Sequence, residues 1–437
     1  MTGGAGEVTT VVAVDFGAAS IRVCRVDLPS TRLEVVHRHA HQPTPDGRWD
    51  WDRLVDEMIR GLQLARAAGP VASIGIDTWG VDYGLLDADG RLVAPPFSYR
   101  HPRTDGYRAV VDALGEVALY RTTGIQLQPF NTLFQLAVHD RAELARARHV
   151  VLLPELLAHH LTGEVHAERT SAGTTALVDL ATGDWSPALL EAIGVDPMLL
   201  APIELAGTRV GTWEGVPVHL VGGHDTASAV AALDLGPRAA FVSAGTWMLV
   251  GREQPAPELA EWARLANFTN EAGALGGIRF LKNLAGSWLI EGCRPAWGDP
   301  PIDDLLAAAA AVEHDGTIVD VTDTRFLHPD DMLGEVTRAA GLPRSTPPPV
   351  VVRTIVESMV DATARVLLSS LSRPYPGQRR QNVEVIGGGA RSALYRRRLA
   401  ERTGLPVAAG PVEATALGNA LVQGMALGLT PERTATR

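Results

Sequence analysis

The feature that most constrains this chain is a strand-turn-strand pattern that occurs twice, once in each half of the sequence. The first copy covers residues 11–23, with small residues at its turn from Gly17 to Ser20. The second covers residues 240–250 and turns at Gly245 and Thr246. Small residues let backbone N–H groups approach a bound anion closely, and Ser or Thr adds a hydroxyl donor. The repeat therefore predicts two similar domains that hold one polyphosphate between them.

Composition limits the possible partners and the cellular compartment. A length of 437 residues favours two or three domains, and a formal charge of −11 disfavours nucleic acid and anionic membranes as partners. No apolar run reaches membrane-spanning length, and the first ten residues lack the pattern of a signal peptide. The only two cysteines, Cys24 and Cys293, lie in different halves, which excludes a disulfide framework. We therefore expect a cytoplasmic protein.

Lysine is almost absent from the sequence. Among 39 Lys and Arg residues only Lys282 is a lysine, and Asn283 follows it, so the chain has no Walker A loop. No strand-linked G-x-G-x-x-G occurs, which disfavours a dinucleotide-binding Rossmann site. Two interpretations of Lys282 stay open: a position that needs a compact ammonium, or a lysine that survived by chance.

Predicted strands and helices alternate in both halves, which is typical of an α/β protein. We place the division between two domains after residue 235, giving domains 1–235 and 236–437, with Gly236 and Pro237 as the joint. The predicted strands cover residues 11–26, 32–41, 71–76, 217–221 and 383–386, and the predicted helices cover residues 51–67, 305–312 and 350–371.

Three acidic motifs follow predicted strands. Asp15 ends a strand beside the first turn and is well placed to hold Mg²⁺, although a plain hairpin turn would look the same. Asp77 and Asp82 flank Trp79, a combination that suits sugar hydroxyls and a sugar face as well as it suits a capped loop. Asp225 follows a strand and begins a helix, where it could take the proton of an attacking hydroxyl or serve only as an N-cap.

Taken together with the glycine run Gly387–Gly389, these residues resemble the FGGY family of carbohydrate kinases from Val11 to about Leu429. The resemblance implies an α/β fold of two actin-like (ribonuclease H-like) ATPase domains with a cleft between them. Residues 15–22 and 243–246 are similar to the two phosphate motifs of the family, and residues 387–392 to its adenosine motif.

Several longer strings are similar to those of family members that act on L-rhamnulose: residues 73–87, 123–136, 223–230, 280–289 and 409–419. The resemblance implies an enzyme of L-rhamnose catabolism that transfers a phosphoryl group from ATP to the C1 hydroxyl of L-rhamnulose, with Mg²⁺. Its partners would be the ketose and ATP, and it would be a monomer or a small homo-oligomer.

The resemblance also implies residue roles. Asp225 would be the catalytic base and Asp15 would lie at the Mg²⁺. Sugar contacts would come from Asp77, Gly80, Asp82, His224, Asp225 and Thr226. ATP contacts would come from Gly17, Ala18, Ala19, Ser20, Ile21, Arg22, Thr246, Asn283, Glu291, Gly388 and Gly389. The chain departs from the family pattern at Ile21, where Gly is usual, at Glu291, where Gln is expected, and at residues 390–392, where Ala-Arg-Ser replaces Cys-Gln-Asn.

Three alternatives remain at this point. The chain could phosphorylate another ketose, such as L-fuculose or L-xylulose. A non-catalytic sugar- or nucleotide-binding regulator on the same fold would be expected to lack the Asp225 carboxylate, which is present. A filament-forming actin-like ATPase would have no use for the sugar-side strings at residues 73–87 and 123–136.

Overall fold

The structure, a computed structural model, describes residues 8–236, 238–327, 329–370 and 382–429, without the side chains of residues 369 and 370. The predicted joint at Gly236 and Pro237 lies only partly within the described residues. Across those ranges, no helix combines the length and the apolar character that a membrane span requires.

The first half of the chain contains twelve strands and nine α-helices among its described residues. Its strands are β1 (Thr9–Gly17), β2 (Ser20–Leu28), β3 (Arg32–Ala40), β4 (Ile74–Thr78), β5 (Tyr83–Leu86), β6 (His149–Leu152), β7 (Ala167–Glu168), β8 (Val178–Asp179), β9 (Asp184–Trp185), β10 (Ile203–Glu204), β11 (Arg209–Trp213) and β12 (Val216–His219). Its helices are α1 (Trp51–Ala67), α2 (Tyr107–Leu114), α3 (Glu116–Thr123), α4 (Thr132–Ala137), α5 (Arg141–Arg146), α6 (Leu153–Thr162), α7 (Arg169–Ala172), α8 (Pro187–Ala192) and α9 (Asp225–Ala231).

The second half adds six strands and seven α-helices in the described ranges. The strands are β13 (Ala239–Ala244), β14 (Trp247–Gln254), β15 (Thr269–Ala272), β16 (Ile278–Ala285), β17 (Asn382–Ile386) and β18 (Val407–Ala409). The helices are α10 (Glu261–Leu265), α11 (Trp288–Cys293), α12 (Ile302–Ala310), α13 (Met332–Ala339), α14 (Pro348–Arg365), α15 (Ala393–Thr403) and α16 (Ala414–Ala426).

Two six-stranded sheets share one plan. Their strand orders are β11-β12-β4-β1-β2-β3 and β15-β16-β14-β13-β17-β18. In the first sheet β1 pairs antiparallel with β2 and parallel with β4; in the second, β13 pairs antiparallel with β14 and parallel with β17. The predicted duplicated α/β architecture is therefore confirmed.

Local signals account for the elements that the sequence predicted well. Helix α1 has the predicted bounds because Asp50 caps it by accepting a hydrogen bond from the backbone N–H of Arg53, and its apolar face packs on the first sheet. The strand expected at residues 71–76 is shifted to Ile74–Thr78. The chain before it, after Pro70, has no regular secondary structure, and two backbone hydrogen bonds join it to β1, from Ala72 to Thr10 and from Val12 to Ser73.

One helix of each half packs against the sheet of the other half. Val230 and Leu233, in and just after α9, pack with Phe241 of the second sheet. Ala416 and Ala420 of α16 pack with Val11 and other buried residues of the first sheet. Because the two helices cross between the sheets, a division after residue 235 describes the sheets but not the helices, and it remains a prediction.

Candidate active site

A cavity of about 300 Å³ lies between the two sheets, and residues of both halves line it. Most of the predicted site residues are in its wall, although they come from distant parts of the sequence. The predicted residues that line it are Gly17, Ala18, Ala19, Ser20, Arg22, Gly80, His224, Asp225, Thr226, Thr246, Asn283 and Gly388.

The first glycine turn is a tight hairpin. Gly17 and Ser20 face each other across β1 and β2, so Ala18 and Ala19 alone form the turn. The ring of His41 lies 3.0 Å (Nε2 to O) from the carbonyl of Gly17 and fixes the start of the turn. Because the turn carries only small side chains, its backbone N–H groups stay close to whatever occupies the cavity.

The second turn is held by the loop that follows β16, the strand paired with β14. Gly245 donates its N–H to the carbonyl of Trp247 at 2.9 Å, and the backbone N–H of Ser287 donates to the carbonyl of Gly245 at 2.9 Å. Gly286 permits this contact, because a Cβ there would lie 2.4 Å from the Gly245 oxygen. Thr246 thereby has a fixed position in the cavity wall.

Asp15 is fully buried behind the first turn. Its Oδ2 lies 2.6 Å from the guanidinium of Arg22, while its Oδ1 has no hydrogen-bond partner. Burial raises the pKa of Asp15 to about 6, and the charge of Arg22 opposes that rise. In the described ranges, no group of three or more His, Cys, Asp or Glu side chains is arranged to hold a metal ion.

Asp77 lies beside Asp15 because their strands pair in parallel register. Burial, followed by the charge of Asp15, raises the pKa of Asp77 well above its usual range. The amide of Asn419 in α16 donates to Oδ2 of Asp77 at 2.6 Å. Asp77 therefore joins the first sheet to the last helix and does not line the cavity.

Asp82 braces the sugar-side loop from behind. Its Oδ2 accepts hydrogen bonds from the indole N–H groups of Trp49 at 2.7 Å and Trp79 at 2.8 Å, and from the backbone of Tyr99 at 3.2 Å. Trp79 and Tyr99 line the cavity, whereas Asp82 does not and is 1% exposed. In the structure Asp82 therefore holds the loop in place, as in the capped-loop interpretation, and does not reach the cavity.

Three other predicted ATP contacts lie outside the cavity wall. Ile21 faces the core because alternate residues of β2 face opposite sides, which directs Arg22 toward the cavity. Glu291 forms an ion pair with Arg294 at 2.5 Å. Gly389 packs against the second turn, where a Cβ would lie 2.4 Å from the Cβ of Ala244.

Asp225 is the first residue of α9, and His224 occupies the N-cap position. Oδ1 of Asp225 accepts hydrogen bonds from the backbone N–H of Thr226 at 2.6 Å and from its hydroxyl at 3.1 Å. Within the described part of the chain, Oδ2 has no hydrogen-bond partner. One carboxylate oxygen is therefore held by the protein, and the other is left for a ligand.

The loop before Asp225 is held by a buried acid. Oε2 of Glu168 accepts the backbone N–H of Gly223 at 3.0 Å, and the hydroxyl of Thr170 accepts the N–H of His224 at 3.2 Å. A Cβ at Gly223 would lie 2.2 Å from the hydroxyl oxygen of Ser171, so glycine is needed for this approach. Glu168 and Thr170 therefore set the position of the residues that precede α9.

Sequence reasoning missed several residues of the cavity wall. Gln126 accepts hydrogen bonds from the backbone N–H of Asn283 at 2.8 Å and from its side chain at 3.2 Å, which joins the two halves. Phe130 and Trp247 form an aromatic contact between the halves, with ring centroids 5.2 Å apart. Gln126 and Phe130 belong to the string 123–136 that carried the resemblance, so that string was the available signal. Thr269 and Glu271 also line the wall, and no sequence motif marks them.

Lys282 does not line the cavity. Its Nζ donates to the backbone carbonyl of Ala266, just after α10, at 2.8 Å, and burial lowers its pKa. The contact attaches β16 to that helix end.

Comparisons with known proteins agree with this geometry. The family model described as FGGY family of carbohydrate kinases, N-terminal domain, matches residues 10–232, and the corresponding C-terminal model matches residues 240–427. A curated rhamnulokinase of Bacteroides thetaiotaomicron is 38% identical over 95% of this chain and 90% of its own length. One of Klebsiella pneumoniae (strain 342) is 39% identical over 95% and 89%.

Solved structures show the same fold at low identity. A ligand-bound xylulose kinase from Lactobacillus acidophilus superposes with a TM-score of 0.78 at 16% identity, covering 97% of this chain and 91% of that one. Plasmodium falciparum glycerol kinase with ADP gives 0.72 at 14% identity, covering 96% and 90%. The two matched domains and the relatives above 30% identity lead to one conclusion: the chain belongs to the FGGY family of carbohydrate kinases.

Proposed function

We propose that this chain transfers the γ-phosphoryl group of ATP to the C1 hydroxyl of L-rhamnulose, giving L-rhamnulose 1-phosphate and ADP. Support for the substrate comes from curated relatives named rhamnulokinase that align over nearly the whole chain. The observation that carries the proposal is the wall of one cavity, which combines Asp225 with glycine turns from both sheets.

Asp225 would act as the general base. Its Oδ1 is held by Thr226, so Oδ2 would accept the hydrogen bond of the sugar hydroxyl and then its proton. Phosphoryl transfer has a loose transition state, and the hydroxyl becomes acidic only as the new bond forms. An ordinary carboxylate placed within hydrogen-bond distance is therefore a sufficient base.

The two turns and Arg22 would bind the phosphates through backbone N–H groups and one fixed positive charge. Asp15 fits a divalent cation, because its buried Oδ1 has no partner and carboxylate oxygen is a preferred ligand of Mg²⁺. When bound, Mg²⁺ would neutralise charge on the phosphates. Arg22 would then remain paired with Glu413, whose Oε2 lies 2.6 Å from its guanidinium.

The sugar would lie on the side of the first half. Gly80, His224 and Thr226 offer polar contacts there, and the rings of Phe130 and Trp247 offer an apolar face. L-Rhamnulose carries a terminal methyl group, which suits an aromatic surface.

We place the reaction in the cytoplasm, with ATP and a ketose as small-molecule partners and the chain as a monomer or a small homo-oligomer. Both cysteines being buried and free supports that compartment.

A ketose panel tests the proposal. ADP release from ATP and Mg²⁺ is measured with L-rhamnulose, L-fuculose and L-xylulose, and carbon–phosphorus NMR coupling identifies the phosphorylated carbon. We expect kcat/KM for L-rhamnulose to exceed the others by at least about tenfold, equal to about 1.4 kcal/mol of transition-state binding. A higher kcat/KM for another ketose, or phosphorylation away from C1, would reject the proposed substrate.

A further inference from the structure

Two oppositely charged side chains are buried together near the sugar side of the cavity, outside the roles assigned so far. Glu271 and Arg279 face each other across β15 and β16, and they are 5% and 0% exposed. The guanidinium Nη2 of Arg279 lies 3.1 Å from Oε2 of Glu271, and its Nε donates to the carbonyl of Ala272 at 3.0 Å. A buried ion pair is by itself weak evidence for a stabilising role, so the other contacts of the pair bear on what it does.

The pair reaches across the cavity to the first half of the chain. Nη2 of Arg279 lies 3.2 Å from Nδ1 of His224, and Oε2 of Glu271 lies 3.4 Å from the same nitrogen. The other ring nitrogen, Nε2, lies 3.4 Å from Oδ1 of Asp225. The four side chains therefore form a continuous row that ends at the proposed base.

Hydrogen-bond chemistry decides how this row is protonated. Arginine can only donate, so the shorter 3.2 Å contact makes Nδ1 of His224 the acceptor from Arg279 rather than a donor to Glu271 at 3.4 Å. The neutral ring then carries its hydrogen on Nε2, which faces Oδ1 of Asp225. We propose that Arg279 is a positioning residue that holds His224 in this tautomer, so that His224 donates to Oδ1 of Asp225; this rests on the proposed role of Asp225 as the base.

The consequence for Asp225 concerns its orientation. Oδ1 then accepts two hydrogen bonds from Thr226 and faces the Nε2 hydrogen of His224 at 3.4 Å, and Oδ2 is left as the proton acceptor. Without Arg279, Nδ1 would instead donate to Glu271. Nε2 would then present a lone pair to Oδ1, and the repulsion would turn the carboxylate away from the sugar.

Nitrogen-15 NMR of His224 in the free protein tests the proposal without any substrate. The signal is assigned by difference with H224Q. We expect an unprotonated Nδ1 and a protonated Nε2 in the wild type, and a change to protonated Nδ1 in R279M. In turnover assays, R279M should lower kcat at least about tenfold while KM for ATP changes less than about twofold. The double variant E271Q/R279M should recover part of the lost kcat, because a neutral amide in place of the Glu271 carboxylate no longer draws the proton to Nδ1.

Arg353 provides a matched control. It is 8% exposed, pairs with Glu357 at 2.9 Å on α14, and does not line the cavity. R353M should lower Tm but leave the His224 tautomer and kcat unchanged. A wild-type spectrum with protonated Nδ1 would overturn the inference, as would R279M with the wild-type tautomer and kcat. Failure of the ketose assay alone would reject the proposed substrate and leave the NMR result standing.

Discussion

At the scale of single residues, the two oxygens of Asp225 have different surroundings, and catalysis depends on the one that the protein leaves free. D225N keeps the size of the side chain but cannot take a proton. We expect kcat to fall by roughly 10²–10⁴ with KM for ATP nearly unchanged, measured by steady-state ADP release. The exposed D56N on α1 is the control and should behave as wild type. A D225N variant with wild-type kcat would show that another group is the base.

A second prediction at this scale concerns Glu155, which is buried beside Glu168. Burial and then the charge of Glu168 raise the pKa of Glu155 well above its ordinary value of 4.5. The folded protein therefore favours the protonated acid. Glu155 supports stability fully below about pH 4.5, and that support is lost as the pH rises toward its folded-state pKa.

E155Q is neutral at every pH and removes this dependence. We expect its free energy of unfolding at pH 7 to exceed that of the wild type, with the gap closing near pH 4.5. Urea unfolding across this pH range measures the gap. The exposed E164Q should show no such gap, within about 0.5 kcal/mol. A gap that does not change with pH would contradict the assignment.

Sequence motifs located the site but could not say which side chains reach it. Residues 17–22 were all assigned to ATP, yet the alternation of β2 sends Ile21 into the core and Arg22 to the cavity. The resemblance assigned Asp82 to the sugar, but in the structure its carboxylate accepts hydrogen bonds from two indole N–H groups. One belongs to the nearby Trp79 and the other to Trp49, which is distant in the sequence. Such contacts depend on packing, which a motif does not contain.

At the scale of elements, the backbones of helices α9 and α16 are in close contact where they cross at Gly418. A Cβ on Gly418 would lie 1.7 Å from the carbonyl oxygen of Ser228. G418A must push the helices apart, and we expect it to lower the free energy of unfolding by about 3 kcal/mol, measured by urea unfolding. G106A is the control, because its Cβ would meet nothing within 4 Å. Equal stabilities of the two variants would contradict this close crossing.

Elements with strong local signals were predictable, and their partners were not. Capping by Asp50 and apolar periodicity gave α1 its bounds, and the β-branched run before Gly387 gave β17. Nothing in the sequence of α16 says that it covers the first sheet rather than the second. That choice depends on Asn419 and Gln423, which bond to Asp77 and to the carbonyl of Val12.

For the whole molecule, the exchange of helices links the stabilities of the two halves. Proteins with two domains often unfold in separate steps, but here each sheet loses part of its core when the other half unfolds. We expect one calorimetric transition, with calorimetric and van't Hoff enthalpies nearly equal. Two resolved transitions in the absence of ligands would contradict this linkage.

The duplication itself could be predicted from the sequence at this scale, because two copies of one hairpin imply two copies of its sheet. The side-chain contacts between the two halves could not be predicted. Gln126 with Asn283, and Glu271 and Arg279 with His224, join residues that are distant in the chain and carry no shared motif. Their meeting follows from how the sheets are placed against each other.

The position of α16 has a consequence for the order of synthesis. The face of the first sheet that includes Val11 and Ala13 is covered by Ala416 and Ala420, which the ribosome adds just over four hundred residues later. At a synthesis rate of roughly 5–20 residues per second, that apolar face stays uncovered on the nascent chain for tens of seconds. Translation speed and chaperone supply should therefore affect the yield of this enzyme more than its stability once complete would suggest.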